Sequence, residues 1–160
     1  DALIIPGGES TTISKLARSF GLFDLIAGRI KSGMPTYGSC AGLILLANKI
    51  EDAIVGQETF GGLDVVARRN AFGRQVDSFE MDLEVKGLSA PKFRAIFIRA
   101  PWIESVGNQV EVLAQVSGHA VAVRSGHIFA TSFHPELTGD NRIHRYFLDV
   151  VCKDAIKVSA

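Results

Sequence analysis

The amino-acid sequence predicts a single α/β domain built on a parallel sheet covered by helices, and three observations indicate it. Up to about residue 50, short apolar runs alternate with glycine turns and with segments of helical periodicity. Beyond residue 60 apolar residues recur at every second position, which is typical of strands with one solvent-facing side. The composition, 47% apolar and 21% charged residues in a chain of 160, is that of a soluble globular protein with enough material for one core.

The first half of the chain predicts two strands that each meet a helix through a glycine turn. The run "ALIIPGG" is a strand followed by a turn, and "MPTY" is a second short strand. The spacing of apolar residues predicts three helices, on Ile13, Leu16, Ala17 and Phe20; on Leu22, Leu25, Ile26 and Ile30; and on Leu43, Leu46, Ala47 and Ile50. Ser10 or Thr11 is expected to cap the first helix and Gly21 to end it. Because ligands bind beyond the carboxyl ends of parallel strands, both glycine turns should face one crevice.

The second half predicts mainly strands. One alternates apolar with charged residues from Phe79 to Val85, another is "AIFIRAP", and three more cover residues 110–116, 119–124 and 127–133. A last helix carries Ile143, Phe147, Val150 and Val151, with Thr138, Asp140 or Asn141 as its cap. Together the elements predict a three-layer, flavodoxin-like α/β fold. We expect a mostly parallel sheet with helices on both faces and a partly antiparallel, strand-rich section.

Charge and cysteine usage exclude several classes of function. Lys plus Arg and Asp plus Glu both number 17, with no run of like charge, so neither a nucleic acid nor a membrane is an expected partner. No stretch approaches the roughly 18 apolar residues of a membrane span, and the first residues do not resemble a secretory signal, so a cytoplasmic location is expected. Cys40 and Cys152 are too few for a disulfide framework. Metal-ligand spacings and phosphate-binding glycine loops are missing, so neither a metal nor a cofactor is expected.

A cysteine between glycines is the first candidate for chemistry. Gly38-Ser39-Cys40-Ala41-Gly42 has the form of a nucleophile elbow, with cysteine in place of serine. In that turn the nucleophile is lifted from a strand end, and the free N–H groups of the following helix favour the thiolate. The N–H of Ala41 would then point to where an oxyanion forms. The same residues also fit a tight turn around a small buried cysteine.

His134 is the candidate base for that thiol. It follows the apolar run "IFATSF" and stands two residues before Glu136. In extended backbone such residues project to one side, so the carboxylate can orient the imidazole while its second nitrogen faces the cysteine. A capping pair at the entrance to the last helix is the alternative. The other histidines, His119, His127 and His144, are predicted to face solvent.

The turn "PGGEST" is a candidate for a second wall of the crevice. The bare backbone of Gly7 and Gly8 could supply a second oxyanion donor, with Glu9 and Ser10 beside it. A plain strand-to-helix turn fits the same residues.

Two arginines follow strand-like segments, Arg69 in "ARRNAFGRQ" and Arg99 in "FIRAP". A guanidinium there can bind a substrate carboxylate in bidentate fashion, although single arginines are more often surface residues. Trp102, directly after Pro101, is expected to be partly buried in the core or at an interface.

In this order the motifs resemble those of class I, triad-type glutamine amidotransferases, and in particular the glutaminase subunits of pyridoxal 5′-phosphate synthase, the PdxT/SNO family. The motifs are "PGGEST", "GSCAGLI", "RNAFGRQ", "SFE", "FIRAP" and "SFHPEL", which span nearly the whole chain. The cysteine and His-Pro-Glu motifs are common to many glutaminases. "PGGEST", "RNAFGRQ" and "FIRAP" are more specific to this family.

The resemblance implies that Cys40, His134 and Glu136 form a triad that hydrolyses L-glutamine to L-glutamate and ammonia through a cysteine thioester. It also implies an oxyanion hole made by the backbone N–H groups of Gly8 and Ala41. The positions matched to glutamine binding are Gly8, Glu9, Ser10, Arg69, Ile98 and Arg99. The implied partner is a PdxS/SNZ-type synthase subunit in a hetero-oligomeric complex, which receives the ammonia and on which activity is expected to depend.

Members of that family begin with an additional strand and helix, so residues 1–160 are expected to form one glutaminase domain that is incomplete at its N terminus. Three other functions fit the same residues. One is a glutaminase subunit serving a histidine-, guanylate- or anthranilate-type amidotransferase. A second is a cysteine hydrolase or peptidase that needs no partner, and a third is a non-catalytic subunit that binds a synthase.

Overall fold

The computed structural model describes residues 1–69, 71 and 78–158, and of residues 156–158 only the backbone. The strands in these ranges are β1 (Leu3–Ile5), β2 (Thr36–Ser39), β3 (Ala47–Glu51), β4 (Leu63–Arg68), β5 (Ser78–Leu83), β6 (Phe93–Ile98), β7 (Trp102–Val106), β8 (Glu111–Val116), β9 (His119–Ser125) and β10 (Ile128–Thr131). The helices are α1 (Ser10–Ser19), α2 (Phe23–Lys31), α3 (Ala41–Leu46), α4 (Arg142–Tyr146) and α5 (Lys153–Val158). A 3-10 turn (Pro135–Leu137) precedes α4, and a π-helical segment (Phe147–Cys152) joins α4 to α5. Within the described residues, each helix is too short or too polar to cross a bilayer.

One large sheet organises these elements. Its strand order is β1-β2-β10-β9-β7-β4-β3, with β8 paired to β9 outside this path. Strands β1, β2 and β10 run parallel, the pairings from β10 through β9 and β7 to β4 are antiparallel, and β3 is parallel to β4. Strands β5 and β6 form a separate antiparallel pair. The predicted α/β architecture, with a parallel section and a strand-rich, partly antiparallel section, is confirmed.

The three parallel strands end together at one edge of the sheet. Ile5 at the end of β1 is in register with Gly38 in β2, and Ser39 is in register with Thr131 at the end of β10. The chain therefore leaves the sheet side by side at three points that lie far apart in the sequence. This shared edge is where an α/β sheet offers a crevice for a ligand.

Two apolar clusters on opposite faces of the sheet give the molecule three layers. Successive residues of β10 show the alternation, since Phe129 packs in one cluster and Ile128 and Ala130 in the other. The cluster beneath α1, α2 and α3 has as its largest buried members Ile30, Leu43, Leu45, Leu46, Leu63 and Ile128. The cluster beneath the β5–β6 pair and the C-terminal helices is aromatic, with Tyr37, Phe93, Phe97, Phe129, Phe133 and Phe147.

Helix α3 is shorter than its apolar spacing predicts. It ends at Leu46, and Ala47 has an extended backbone with ψ of 142°. Ala47–Glu51 is strand β3, paired with β4, so the prediction that Ala47 and Ile50 continue the helix is wrong. The carbonyl of Leu45 accepts the N–H groups of Phe60 and Gly61 from a later part of the chain. Such long-range hydrogen bonds override a local spacing pattern.

Helix α1 buries a face that only partly matches the predicted one, since Ala17 is buried and Ile13 packs against the core as expected. Leu16 and Phe20, which the spacing placed on the apolar face, are 52% and 73% exposed. The buried positions are Ser10, Thr11, Ser14 and Ala17. These side chains are small, which allows α1 to pack closely on α3.

The cap of α1 also differs from the prediction, whereas one predicted cap of α4 is present. Glu9 occupies the cap position of α1, and its carboxylate accepts the N–H of Thr12 at 2.8 Å, so Ser10 and Thr11 lie inside the first turn. At α4 the cap position is Asn141, one of the predicted residues, and the side chain that accepts the first N–H of the helix, that of Arg142 at 3.0 Å, is the carboxylate of Asp140, another predicted residue.

Candidate active site

A cleft of about 410 Å³ opens at the edge where the parallel strands end. Its lining in the described part of the chain is Gly8, Glu9, Ser10, Cys40, Ala41, Ile44, Arg69, Ile98, Arg99 and His134. All of these except Ile44 were singled out from the sequence. Glu136, the remaining predicted site residue, reaches the cleft through His134. The structure thus brings together side chains from five separate segments of the chain.

The turn at Cys40 has the strained geometry of a nucleophile elbow. Cys40 has φ of 50° and ψ of −101°, a region that non-glycine residues rarely adopt. Its N–H donates to the carbonyl of Thr131 at 2.8 Å. A Cβ on Gly38 would lie 2.5 Å from the carbonyl carbon of Gly42, and one on Gly42 would lie 2.2 Å from the carbonyl oxygen of Ile5. Both glycines are therefore required for the turn to pack.

Burial raises the pKa of the Cys40 thiol to about 11. A hydrogen bond from the N–H of Ala41 and the charge of Arg99 lower this pKa, while the Glu136 carboxylate raises it further. The sequence-based expectation of a favoured thiolate is right for the contribution of the Ala41 N–H. The expectation is wrong for the net shift of the pKa, which is upward. Cys40 is only 7% exposed, and its desolvation raises the pKa by more than the Ala41 N–H lowers it. In this conformation Cys40 is a protonated thiol at neutral pH.

His134 lies in the same cleft as Cys40 and is held from two sides. Its Nδ1 is 2.7 Å from Oε1 of Glu136, and its backbone N–H donates to the carbonyl of Ile96 at 2.8 Å. The imidazole packs against the backbone of Gly7, where an added Cβ would lie 2.3 Å from Cε1. The carboxylate on Nδ1 leaves Nε2 as the nitrogen available to the thiol. Cys40 and His134 thus line one cleft, and Glu136 contacts the imidazole from behind, as the orienting carboxylate of a triad would.

The other three histidines lie away from the described cleft and are half-buried, so the prediction that they face solvent is only partly right. The ring of His119 stacks on that of Trp102 at 3.7 Å between centroids. Nε2 of His127 lies 2.8 Å from the carbonyl oxygen of Ile30. His144 meets Tyr37 edge to face.

The turn between β1 and α1 forms one wall of the cleft. Gly8 has φ of 146°, a conformation that favours glycine. The carboxylate of Glu9 accepts hydrogen bonds from the hydroxyl of Thr11 at 3.0 Å and from the N–H of Thr12. Partial burial raises the pKa of Glu9, but these hydrogen bonds lower it by more, so the net direction is downward. Glu9 is therefore a carboxylate at neutral pH, placed beside the cleft by its role as a helix cap.

Arg69 crosses from the end of β4 to this wall. Its Nη2 donates to Oε1 of Glu9 at 3.1 Å, and its Nη1 donates to Oε1 of Gln57 at 2.9 Å. The amide of Gln57 in turn donates to the hydroxyl of Ser10 at 3.0 Å. Sequence reasoning missed Gln57, because a glutamine in the polar loop "EDAIVGQET" has neither motif nor periodicity to mark it.

Ile98 and Arg99, at the end of β6, form the opposite wall. Arg99 has φ of 42°, which turns the chain sharply away from the strand. Its positive charge lowers the pKa of the Cys40 thiol, so it acts electrostatically on that side chain. Of the motif "RNAFGRQ", Arg69 and Ala71 are described, and residues 70 and 72–75 lie outside the described residues. The described part of the chain contains no cluster of side chains suited to hold a metal ion.

Comparisons with known proteins match this chain to one family over most of its length. The model of the SNO glutamine amidotransferase family matches residues 1–153. A pyridoxal 5′-phosphate synthase subunit PdxT from Streptomyces avermitilis is 60% identical over 151 residues, covering 94% of this chain and 75% of the relative. A protein of the same name from a Nocardioides species is 60% identical over 157 residues, covering 95% of this chain and 78% of the relative.

Solved structures agree in fold. A crystal structure of a glutamine amidotransferase superposes with a TM-score of 0.87 at 51% identity, covering 94% of this chain and 79% of that one. A glutamine amidotransferase from Thermotoga maritima superposes with a TM-score of 0.54 at 16% identity, covering 99% of this chain and 65% of that one. At that identity the second likeness supports the fold alone.

Proposed function

Because this chain belongs to the SNO glutamine amidotransferase family, we propose that its cleft hydrolyses L-glutamine to L-glutamate and ammonia with Cys40 as the nucleophile. The observation that carries this assignment is the elbow at Cys40 in one cleft with His134, whose Nδ1 is held by Glu136 at 2.7 Å. A strained cysteine, a base and an orienting carboxylate are the three groups that thiol-dependent amide hydrolysis requires.

The reaction begins with transfer of the thiol proton to His134. Sγ of Cys40 attacks the side-chain amide carbon of glutamine, and the amide oxygen becomes an oxyanion. His134 then donates the proton to the departing nitrogen, which leaves as ammonia, and a γ-glutamyl thioester remains on Cys40. Water, deprotonated by His134, cleaves the thioester to glutamate and restores the thiol. Glu136 holds the imidazole in the required tautomer and stabilises its positive charge.

Two backbone N–H groups are assigned to the oxyanion. The N–H of Ala41 already contacts the Cys40 sulfur, and the N–H of Gly8 belongs to the facing wall of the cleft. A donor of this kind contributes about 3 kcal/mol to transition-state stabilisation. Gly7 and Gly8 allow the backbone to reorient, which supports the hypothesis that the oxyanion hole is completed when a partner docks.

The remaining lining residues are assigned to glutamine binding. Arg69 and Arg99 suit the α-carboxylate, and the ionised Glu9 suits the α-ammonium group. Ser10 and Ile98 complete the walls on either side.

The proposed partner is a PdxS/SNZ-type synthase subunit that receives the ammonia in a hetero-oligomeric complex for pyridoxal 5′-phosphate synthesis. Support comes from relatives at 60% identity that are named as subunits of that synthase. We also propose a cytoplasmic location, where thiols such as the unpaired Cys40 and Cys152 stay reduced.

Glutamate release from L-glutamine tests the proposal. The chain is assayed alone, with the synthase subunit, and as Cys40→Ala with the synthase subunit. We expect release that depends on the partner and disappears in Cys40→Ala. Absence of glutamate with this synthase subunit and with other amidotransferase synthases alike would contradict the assigned reaction. Stimulation by another amidotransferase synthase instead would contradict only the assigned partner.

A further inference from the structure

Gln57 is a half-buried residue at the rim of the cleft that the reaction above does not use. It follows the exposed residues 52–56, and its backbone N–H closes a turn to the carbonyl of Ile54 at 2.9 Å. Its amide oxygen accepts from Arg69 and, within its own loop, from the N–H of Ile54 at 3.3 Å, and its amide nitrogen donates to Ser10. One amide therefore links a loop to two residues that line the cleft.

These contacts determine where the guanidinium of Arg69 lies. The Arg69 side chain is 17% exposed, and Gln57 and Glu9 each take one of its five N–H donors. The remaining donors keep a fixed direction because the guanidinium is planar and is held at two points. Ser10 is 2% exposed, and its hydroxyl accepts a hydrogen bond from the same amide, which fixes the position of that hydroxyl.

The charge of the group at position 57 matters as much as its position. Among the described residues that line the cleft, Arg69 and Arg99 carry positive charge and Glu9 carries negative charge. A glutamine accepts from Arg69 without adding a second carboxylate beside it. The cleft thereby keeps an excess of positive charge for a ligand that carries a carboxylate.

We propose that Gln57 is a positioning residue that fixes Arg69 and Ser10 for the α-carboxylate of glutamine and, by being neutral, leaves the charge of Arg69 available to it. This inference rests on the proposed function, because it takes free glutamine as the ligand. Gln57 acts through Arg69 on binding, so its replacement should change KM and leave kcat nearly unaltered.

The test compares two variants of nearly equal size with a control in the same loop. Gln57→Met removes the side-chain hydrogen bonds to Arg69, to Ser10 and to the N–H of Ile54 without adding charge. Gln57→Glu keeps an acceptor for Arg69 but adds a carboxylate. Glu58→Gln changes the next residue, whose carboxylate pairs with Arg18 away from the described cleft. All three are assayed for glutamate release with the synthase subunit, after circular dichroism has shown that they fold.

We expect Gln57→Met to raise KM about fivefold and Gln57→Glu about tenfold, with kcat within about twofold of the parent chain and Glu58→Gln unchanged. The decisive readout is which variant raises KM more. If Gln57 were only a structural anchor, Gln57→Glu would be tolerated better than Gln57→Met. An unchanged KM in Gln57→Glu, or a larger effect of Gln57→Met, would overturn the inference.

Binding of L-glutamine to Cys40→Ala chains, measured by calorimetry in complex with the synthase subunit, separates this inference from the proposed reaction. If the parent chain releases no glutamate, the reaction is contradicted, while Kd values in the same order still support the role of Gln57. If the chain with Gln57 and the Gln57→Glu variant bind L-glutamine with equal Kd values, that role is overturned, whatever the activity.

Discussion

Alkylation of Cys40 in the free chain should reveal the raised pKa of its thiol. Burial raises that pKa to about 11, against a reference value of 9.0. Thiol reagents react with the thiolate, so only the ionised fraction counts. At pH 8 this fraction is about 0.1% instead of about 10%, a difference of about 100-fold. Because the thiol loses its proton as pH rises, the rate should increase about tenfold for each pH unit up to pH 10 and level off only near the raised pKa.

The assay follows carbamidomethylation by iodoacetamide with mass spectrometry of the Cys40 peptide from pH 7 to pH 11. The Cys152 peptide is measured in the same samples, and the chain unfolded in urea supplies the unperturbed profile. Burial also slows access of the reagent, so the midpoint of the profile, and not the absolute rate, measures the pKa. A midpoint for Cys40 at or below that of the unfolded chain would refute the reasoning that desolvation controls this thiol.

Two further predictions follow from the same geometry. With the synthase subunit present, Glu136→Gln should lower kcat for glutamate release about 10³-fold, because an amide neither fixes the tautomer of His134 nor stabilises its charge. A loss smaller than tenfold would contradict the triad. Gly42→Ala should lower the free energy of unfolding by about 3 kcal/mol or more, because its Cβ would lie 2.2 Å from the carbonyl oxygen of Ile5. The control is Gly28→Ala in α2, where an added Cβ would have no described atom within 4 Å. It should raise the free energy of unfolding by about 0.5–1 kcal/mol, measured by urea denaturation. A similar decrease of that free energy in both variants would refute the steric argument.

The candidate site was predictable from the sequence where its chemistry is local. The elbow needs glycines two residues to either side of Cys40, and the orienting pair needs His134 and Glu136 two residues apart, so both are visible as short motifs. The parallel core was also predictable, because short apolar runs followed by glycine turns predict strands that end at one edge. The oxyanion donors were suggested by the two glycine turns and made specific by the family resemblance, which also supplied the assignments to glutamine binding. Both sets of assignments stay predictions.

Sequence patterns failed where distant segments compete with local ones. The spacing through Ala47 and Ile50 is helical, but pairing with β4 makes this segment a strand. The apolar stripe of α1 suggested a buried Leu16, yet the residues that this helix buries are small ones, Ser10, Thr11, Ser14 and Ala17. In both cases the tertiary partner, which no local period records, decided the outcome.

Local chemistry along the chain was therefore enough to single out Cys40, His134 and Glu136 as the candidate nucleophile, base and orienting carboxylate. The working environment of these groups depends on contacts across the fold. Burial under the sheet edge makes Cys40 a protonated thiol where its helix N terminus alone favours the thiolate. Gln57 is 12 residues from Arg69 in the sequence and 47 residues from Ser10, yet its side chain is hydrogen-bonded to both. Only the packed structure brings residues that far apart in the chain within hydrogen-bond distance.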